Sequence, residues 1–259
     1  MIRRLALALG AVAIAGLASA GPPFFTDDPD PVKYRHWEAY AASQILRDAD
    51  GWSGTAPHVE VNYGAIPDLQ LHVIAPLSFS APSAEKSQFG YGDTELGVKY
   101  RFIEETPWRP MVGVFPLVEL PTGDSDRDLG SGQTMAFLPL WLQKTMGAWT
   151  TYGGGGYWIN PGAGNFDWWF FGWLLQYQVL SNLAIGAEIV HATVKEQDGE
   201  SNTLVHAGGI FDFSDTKHVM FSAGPAIQGP SGFQCYVAFQ LTWGPDNPPF
   251  RLCHKQFRP

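Results

Sequence analysis

The residues that could do chemistry in this sequence are ionisable side chains set within runs of alternating apolar residues. Eight of them are the candidate site residues, namely Glu60, Glu95, Lys99, Arg101, Glu119, Glu188, His206 and Asp212. In a β-strand, successive side chains point to opposite faces, so these groups share a polar face opposite the apolar one. On an enclosed polar face they could line a pore and set its selectivity, or they could pair with one another and close it.

No spacing in the chain predicts catalysis or a bound group. The stretch Leu129-Gly130-Ser131-Gly132 lacks the spacing of a nucleophile elbow. The glycine run Gly153–Gly156 leads into Tyr157 and Trp158 rather than a lysine-bearing helix, so it predicts close packing or a bend in a strand instead of a phosphate site. We therefore predict no enzyme activity, no cofactor and no metal.

The two cysteines, Cys235 and Cys253, are predicted to be unpaired thiols. A strand of about nine residues follows Cys235 and spans ~30 Å, whereas the Cα atoms of a disulfide lie within ~7 Å. Their spacing also excludes a zinc site built from paired cysteines.

The composition excludes some partners and narrows the class of protein. The chain of 259 residues has 25 acidic and 16 basic residues, a net charge of −9, which disfavours binding to nucleic acid. Charged residues make up only 16% of the chain, against roughly 25% in an ordinary soluble domain. The chain is long enough for one large all-β domain.

The first twenty residues have the form of a secretory signal. Arg3 and Arg4 precede an apolar run from Leu5 to Leu17, and Ala18-Ser19-Ala20 provides a cleavage site. A membrane anchor is the alternative, but the run is short for spanning a bilayer and ends in small residues. We predict that residues 1–20 are a signal peptide and that the protein is exported.

From Trp37 to Trp243 the apolar residues recur mostly at every second position, which predicts about twelve antiparallel strands. The connections between them alternate between short turns and longer polar loops, which include Arg47–Ala56, Ser80–Gly92, Thr122–Gln133 and Lys195–Ser201. Long loops at one end and short turns at the other are typical of outer-membrane barrels. We predict an all-β fold, a closed up-and-down transmembrane β-barrel over residues 37–243.

Alternation alone does not distinguish a membrane barrel from a soluble one, because the two differ only in which face is buried. Three features favour the membrane: charge is scarce, charges cluster in the loops, and aromatic residues collect near the predicted strand ends, among them Trp37, Tyr63, Trp149, Trp158, Trp168 and Trp243. A soluble periplasmic barrel with an apolar ligand cavity is the first alternative.

Both ends of the barrel sequence carry extensions with two open interpretations. Residues 21–36 contain four prolines before the first strand, which excludes a helix or a central strand. They could fill the lumen as a plug, with Phe24 and Phe25 packing and Asp27 and Asp28 meeting basic lumen residues. The slightly favoured alternative is a periplasmic leader. The basic tail 244–259 has the same ambiguity.

Several stretches resemble a family of proteobacterial outer-membrane β-barrels that is named for a phenol meta-cleavage degradation pathway. They are Pro22–Pro29, Pro121-Thr122-Gly123 and Gly92–Phe102, whose Gly-Asp-x-x-Leu-Gly-x-Lys-Tyr-x-Phe pattern is the most specific. The resemblance covers most of the mature chain. It implies a transporter in the outer membrane, with small hydrophobic or aromatic compounds as solutes.

The last strand, Gln234–Trp243, resembles the C-terminal strand by which outer-membrane proteins are recognised for insertion, although 16 residues follow it. The expected partners are therefore the lipid bilayer, the outer-membrane assembly machinery and a small-molecule solute. The expected function is passive uptake of that solute. A closed structural barrel and a barrel-embedded hydrolase are further alternatives, and no motif in the sequence places a Ser, His and acid together for the latter.

Overall fold

A computed structural model describes residues 23–245, so the predicted signal peptide, Cys253 and most of the C-terminal tail lie outside the described residues. Within this range there are fourteen strands and one short 3-10 turn, Ser125–Arg127, and no helix is long and apolar enough to cross a membrane. The strands are β1 Trp37–Asp48, β2 Gly51–Ile66, β3 Leu69–Pro82, β4 Gln88–Tyr91, β5 Thr94–Ile103, β6 Met111–Val114, β7 Leu117–Leu120, β8 Met135–Met146, β9 Trp149–Ile159, β10 Trp168–Leu180, β11 Leu183–Ala192, β12 Asn202–Ser214, β13 Lys217–Gln228 and β14 Gly232–Trp243.

These strands form a closed antiparallel barrel whose wall is twelve strands wide. Strands β6 and β7 are one wall strand interrupted at Phe115 and Pro116, because both pair with β5 on one side and β8 on the other. Strand β4 only extends the hairpin from β3. The first and last strands pair along their whole length, from Trp37 opposite Trp243 to Asp48 opposite Gly232. The barrel therefore has no open edge, which confirms the predicted fold class.

The two faces of the wall have the polarity of a membrane barrel. Leu96 and Val98 on β5 are 44% and 38% exposed on the outer face, whereas Lys99 on the same strand is 4% exposed. On β14, Phe239 is exposed and Gln240 is fully buried. Apolar residues thus face outwards and polar residues face the enclosed lumen, as they do in outer-membrane barrels.

The connections differ from the prediction at one end of the barrel. The polar stretch 47–56 is not a loop, because β1 and β2 continue to a tight turn at residues 49–50 and Arg47 pairs with Trp52. Polar residues remain compatible with a strand that extends beyond the membrane, since water can then wet both of its faces. Short turns lie at the other end, at residues 147–148, 181–182 and 215–216, as predicted. We call the two ends the long-loop end and the short-turn end.

The glycine run of β9 packs closely against neighbouring rings, as the sequence predicted, and has no helix behind it. Cβ atoms at Gly153 and Gly155 would collide with Trp173 and Phe171 on the outer face. On the inner face, a Cβ atom at Gly154 would collide with the carbonyl oxygen of Leu140 and lie 3.0 Å from the ring of Trp141. Glycine is needed here because aromatic residues of β8 and β10 cover both faces of the strand.

Candidate functional site

All eight candidate residues lie on wall strands and on the inward face. Glu60, Lys99, Glu188 and His206 are buried. The other four are partly buried and also face the lumen: Glu95 and Arg101 share the strand face of Lys99, Glu119 lies directly opposite Glu95, and Asp212 shares the strand face of His206. The structure spreads these groups along the lumen instead of gathering them at one point.

The described part of the N-terminal extension lies inside the barrel. Phe24 is buried against Tyr152 and Leu174, which project inwards from β9 and β10. Thr26 and Asp28 have no exposed surface. From the short-turn end the segment therefore rises along the β2, β3 and β5 wall and crosses to the opposite wall.

Glu188 on β11 fixes the far end of this segment. Its two carboxylate oxygens accept the backbone N–H groups of Phe25 at 3.0 Å and Thr26 at 2.8 Å. The first of these oxygens also lies 3.0 Å from Nδ1 of His206, whose ring packs against Phe25. Gly172 leaves the space that Thr26 occupies. Hydrogen bonds to a charged acceptor are stronger than neutral ones, so this contact holds the backbone firmly.

Two basic residues of β5 face the acidic part of the segment. The ammonium of Lys99 lies 3.0 Å from the carboxylate of Asp27 and 3.6 Å from that of Asp28. Arg101 donates to Asp30 at 2.6 Å and also to Asp68 in the β2–β3 turn. These contacts bring four carboxylates to two cations, which leaves an excess of negative charge.

The surroundings of the segment change the acidity of two of its carboxyl groups. Burial raises the pKa of Asp28 well above its usual range, with Lys99 opposing the shift and Asp27 adding to it. Burial also raises the pKa of Asp30, and the guanidinium of Arg101 opposes that shift.

Backbone contacts hold the segment where it meets the wall near β1. The N–H of Val32 donates to the side-chain oxygen of Gln70 at 2.9 Å, and the N–H of Arg35 donates to the carbonyl of Gly64 at 2.7 Å. A side chain at Gly64 would collide with the carbonyl oxygens of Val32 and Lys33. The absence of a side chain at Gly64 therefore allows the segment to approach β2.

A second polar group of residues lies on β2, β3 and β5. Nδ1 of His72 lies 2.7 Å from the amide oxygen of Asn62, and its Nε2 lies 2.8 Å from the carboxylate of Glu95. Asn62 donates to Glu60 at 2.8 Å. His72 is thus held between two acidic residues and connects their strands. The alternation in residues 69–75 is consistent with His72 on the polar face, but it does not predict this network.

Aromatic rings cover another part of the inner wall, near the long-loop end. Phe137 stacks on Trp158 with 4.8 Å between ring centroids, and Trp158 stacks on Trp168 at 5.4 Å. We call these three residues, on β8, β9 and β10, the aromatic row. The sequence assigned Trp158 and Trp168 to the membrane interface, and that assignment was wrong, because both share the inward face of their strands with Tyr152 and Leu174.

Aromatic residues on the outer face do form pairs near the strand ends. Trp37 contacts Tyr63 and stacks on Trp243 at the short-turn end, and Tyr157 contacts Trp169 at the long-loop end. Rings at these heights suit the two water–lipid interfaces. Within residues 23–245, no cluster of acidic, His or Cys residues has the arrangement of a metal site, and Cys235 is a free thiol.

Comparison with solved structures identifies the fold. The crystal structure of an outer-membrane channel from Pseudomonas putida F1 matches with a TM-score of 0.70 and 15% identity, covering 83% of this chain and 98% of that chain. The KdgM porin in complex with disordered oligogalacturonate matches with a TM-score of 0.56, 9% identity and coverage of 80% and 99%. The NanC porin matches with 0.55, 7% identity and coverage of 78% and 98%.

These likenesses show the fold of an outer-membrane β-barrel. No family model and no curated protein matches the chain. The resemblance to the phenol-pathway family therefore stays a prediction from the sequence.

Proposed function

We propose that this protein is an outer-membrane channel through which small solutes diffuse down their concentration gradient, without a cofactor and without covalent chemistry. The observation that carries the proposal is the polarity of the wall, with ionisable groups such as Lys99 and Glu188 buried inside and residues such as Leu96 exposed outside. A soluble barrel would bury its apolar face instead. The folds of the porins that it resembles support the same function.

The proposal includes the route to the membrane. Residues 1–20 direct export, and the strand that ends at Trp243 engages the outer-membrane assembly machinery. The short-turn end then faces the periplasm and the long-loop end faces outwards, which is the usual orientation of these barrels.

The lumen offers two kinds of surface to a solute. The wall of β2, β3 and β5 carries the ionisable groups around His72 and Lys99, while the wall of β8, β9 and β10 carries the aromatic row. A surface of stacked rings supports small hydrophobic or aromatic compounds as solutes, in agreement with the family resemblance.

A closed structural barrel is the second candidate, and the N-terminal segment is the observation that favours it. The full burial of Thr26 and Asp28 shows how tightly this segment fills its part of the lumen.

For the channel, we propose that the segment is a plug that narrows the lumen and that its displacement widens the lumen.

Conductance in planar bilayers separates these candidates. The channel proposal expects discrete current steps from the purified protein, and larger steps from a variant lacking residues 23–31. A matched control shortens the exposed loop at residues 161–164 and leaves the steps unchanged. Absence of current from both the intact and the shortened protein, each shown to be folded by its altered gel mobility before boiling, would establish the closed structural barrel.

Solute preference needs a second measurement. Proteoliposomes should take up an aromatic zwitterionic amino acid faster than an aliphatic amino acid of similar size, and replacing Trp158 by Gln should remove the difference. Equal uptake of both amino acids by the original protein would argue against aromatic solutes without affecting the channel proposal.

A further inference from the structure

The aromatic row continues into charged groups at both of its ends. At one end, the ammonium of Lys195 lies 4.1 Å from the centroid of Trp168. At the other, Phe137 belongs to a cluster with Phe115, and the ammonium of Lys99 lies 5.0 Å from the Phe115 ring. The faces of these rings therefore already hold ammonium groups at two separate places, as expected from the negative potential of an aromatic face.

Lys195 is held in place by its backbone instead of by a strong ion pair. Its carbonyl accepts hydrogen bonds from the N–H of Phe166 at 2.9 Å and from the side chain of Asn160 at 3.1 Å. Its side chain has no carboxylate within 4 Å among the described residues. The ring of Trp168 is therefore the partner that the structure gives to this ammonium, and no hydrogen bond or ion pair with the described residues fixes it there.

Carboxylates adjoin the aromatic row on the same wall. Leu117 pairs with Phe137 across β7 and β8, and Glu119 lies two residues further towards the long-loop end of β7. Glu119 lies opposite Glu95 and makes no hydrogen bond or ion pair with the residues described in the structure. It attracts Lys195 at longer range. Phe137 is buried and Trp158 is stacked between the other two rings, so the surface open to a solute is the face of Trp168 beside Lys195, on the wall that carries Glu119.

We infer that this surface is a binding site for small organic cations of the alkylammonium class, and that Lys195 occupies it when no such cation is present. Aromatic faces beside carboxylates recognise organic ammonium ions, since the rings contact the methyl groups and the carboxylates balance the charge. A hydrated metal cation would gain less from the rings, and an organic anion would be repelled by Glu95 and Glu119.

This inference deepens the proposed function, because it assigns a solute class to the lumen of the proposed channel. Binding can nevertheless be measured without transport. Three probes of similar size share a compact cluster of methyl groups and differ in charge: tetramethylammonium is a cation, tert-butanol is neutral and pivalate is an anion. We would measure the binding of each to the detergent-solubilised protein by ligand-observed saturation-transfer NMR.

Tetramethylammonium should bind about two- to fivefold more tightly than tert-butanol, a ratio typical of one exposed cation–π contact, and pivalate should not bind. Trp168→Leu and Glu119→Gln should each weaken tetramethylammonium binding several-fold. Lys195→Gln should strengthen it about fivefold, because it removes the competing ammonium while keeping the backbone contacts of residue 195. Asp215→Asn, which removes an exposed acidic group from the turn between β12 and β13 at the short-turn end, is the matched control and should leave binding unchanged.

Three results would overturn the inference. They are equal binding of tetramethylammonium and tert-butanol, weaker cation binding by Lys195→Gln, and pivalate binding that depends on Lys195. Bilayer currents then distinguish the two proposals. Conducting protein that fails to bind the cation refutes only the inference, and cation-binding protein that never conducts refutes only the channel function.

Discussion

The ammonium of Lys99 lies 3.0 Å from the carboxylate of Asp27, a residue 72 positions earlier in the chain. Lys99 is buried in the middle of the barrel wall, and Asp27 belongs to a segment without regular secondary structure. The contact therefore ties a strand of the wall to a segment that enters the lumen from the short-turn end. If that segment narrows the channel, the strength of its attachment sets how readily the channel opens.

Replacing Lys99 with Met should release the segment. Asp27 and Asp28 would lose their nearby cation, and leaving one member of a buried ion pair without its partner costs about 3 kcal/mol or more. Larger current steps in bilayers and faster proteolysis within residues 23–31 are the expected results. The control is Lys144→Met, which breaks the ion pair with Glu105 at the short-turn end and leaves the segment intact. Unchanged protease resistance in the Lys99 variant would contradict the predicted role of this lysine.

The contact of Glu188 with the backbone can be tested at two individual amides. In Glu188→Ala, the N–H groups of Phe25 and Thr26 lose their acceptors, so their protection from hydrogen exchange should fall about tenfold or more. Glu188→Gln keeps an acceptor oxygen and should lose less. The amide of Val32, which donates to Gln70 instead, reports whether the rest of the segment stays in place. Equal protection of Phe25 and Thr26 in all three proteins would show that Glu188 does not hold them.

The stability of the N-terminal segment inside the lumen should also depend on pH. The direction of this dependence follows from the raised pKa of Asp28 and Asp30. A carboxyl group whose pKa is raised in the inserted state binds a proton more tightly there than in the displaced, solvated segment. Insertion is therefore favoured as the pH falls through that raised range and loses this advantage at higher pH. The charged groups that face them are Lys99, Arg101, Asp68 and Asp27, together with Glu105 near Asp30.

Hydrogen exchange at about pH 5.5 and about pH 8, corrected for intrinsic rates, measures this dependence. Protection of residues 24–32 should be greater at the lower pH, and Asp30→Asn should reduce the difference because it removes one of the titrating groups. Greater protection at the higher pH would mean that the ion pairs with Lys99 and Arg101 outweigh the repulsion among the carboxylates.

Much of the fold could be predicted from the sequence because the side-chain period of a strand is a local property. The alternation in 94–102 assigns Leu96 to one face and Lys99 to the other, and the scarcity of charge predicts that the apolar face is the outer one. The number of wall strands follows from counting such runs. The loop at 47–56 was predicted wrongly because composition reflects exposure to water, and a strand that extends beyond the membrane is also exposed.

The candidate site could be predicted only in part, for a different reason. The alternation of side chains along the strand assigns Glu188 to the lumen, but it does not predict the contact of Glu188 with the backbone of Thr26. These two residues are 162 positions apart in the chain, and their contact depends on how the barrel closes. Trp158 and Tyr152 are separated by an even number of positions and therefore point to the same side of the strand, which is the inner side. The sequence analysis missed this direction because a Trp near a strand end is also typical of the membrane interface.

The close packing of β9 predicts that small substitutions there affect stability. A Cβ atom at Gly154 would collide with the carbonyl oxygen of Leu140 and lie 3.0 Å from the ring of Trp141. Gly154→Ala should therefore destabilise the barrel by about 1–3 kcal/mol, because the fully buried Trp141 has no space into which it can move. The matched control is Gly232→Ala on β14, where the nearest atom is 3.4 Å from the added Cβ and the loss should be small. The urea concentration at which half of the protein loses its folded gel mobility reports the difference, and equal midpoints for the two variants would show that β9 yields to accommodate a side chain.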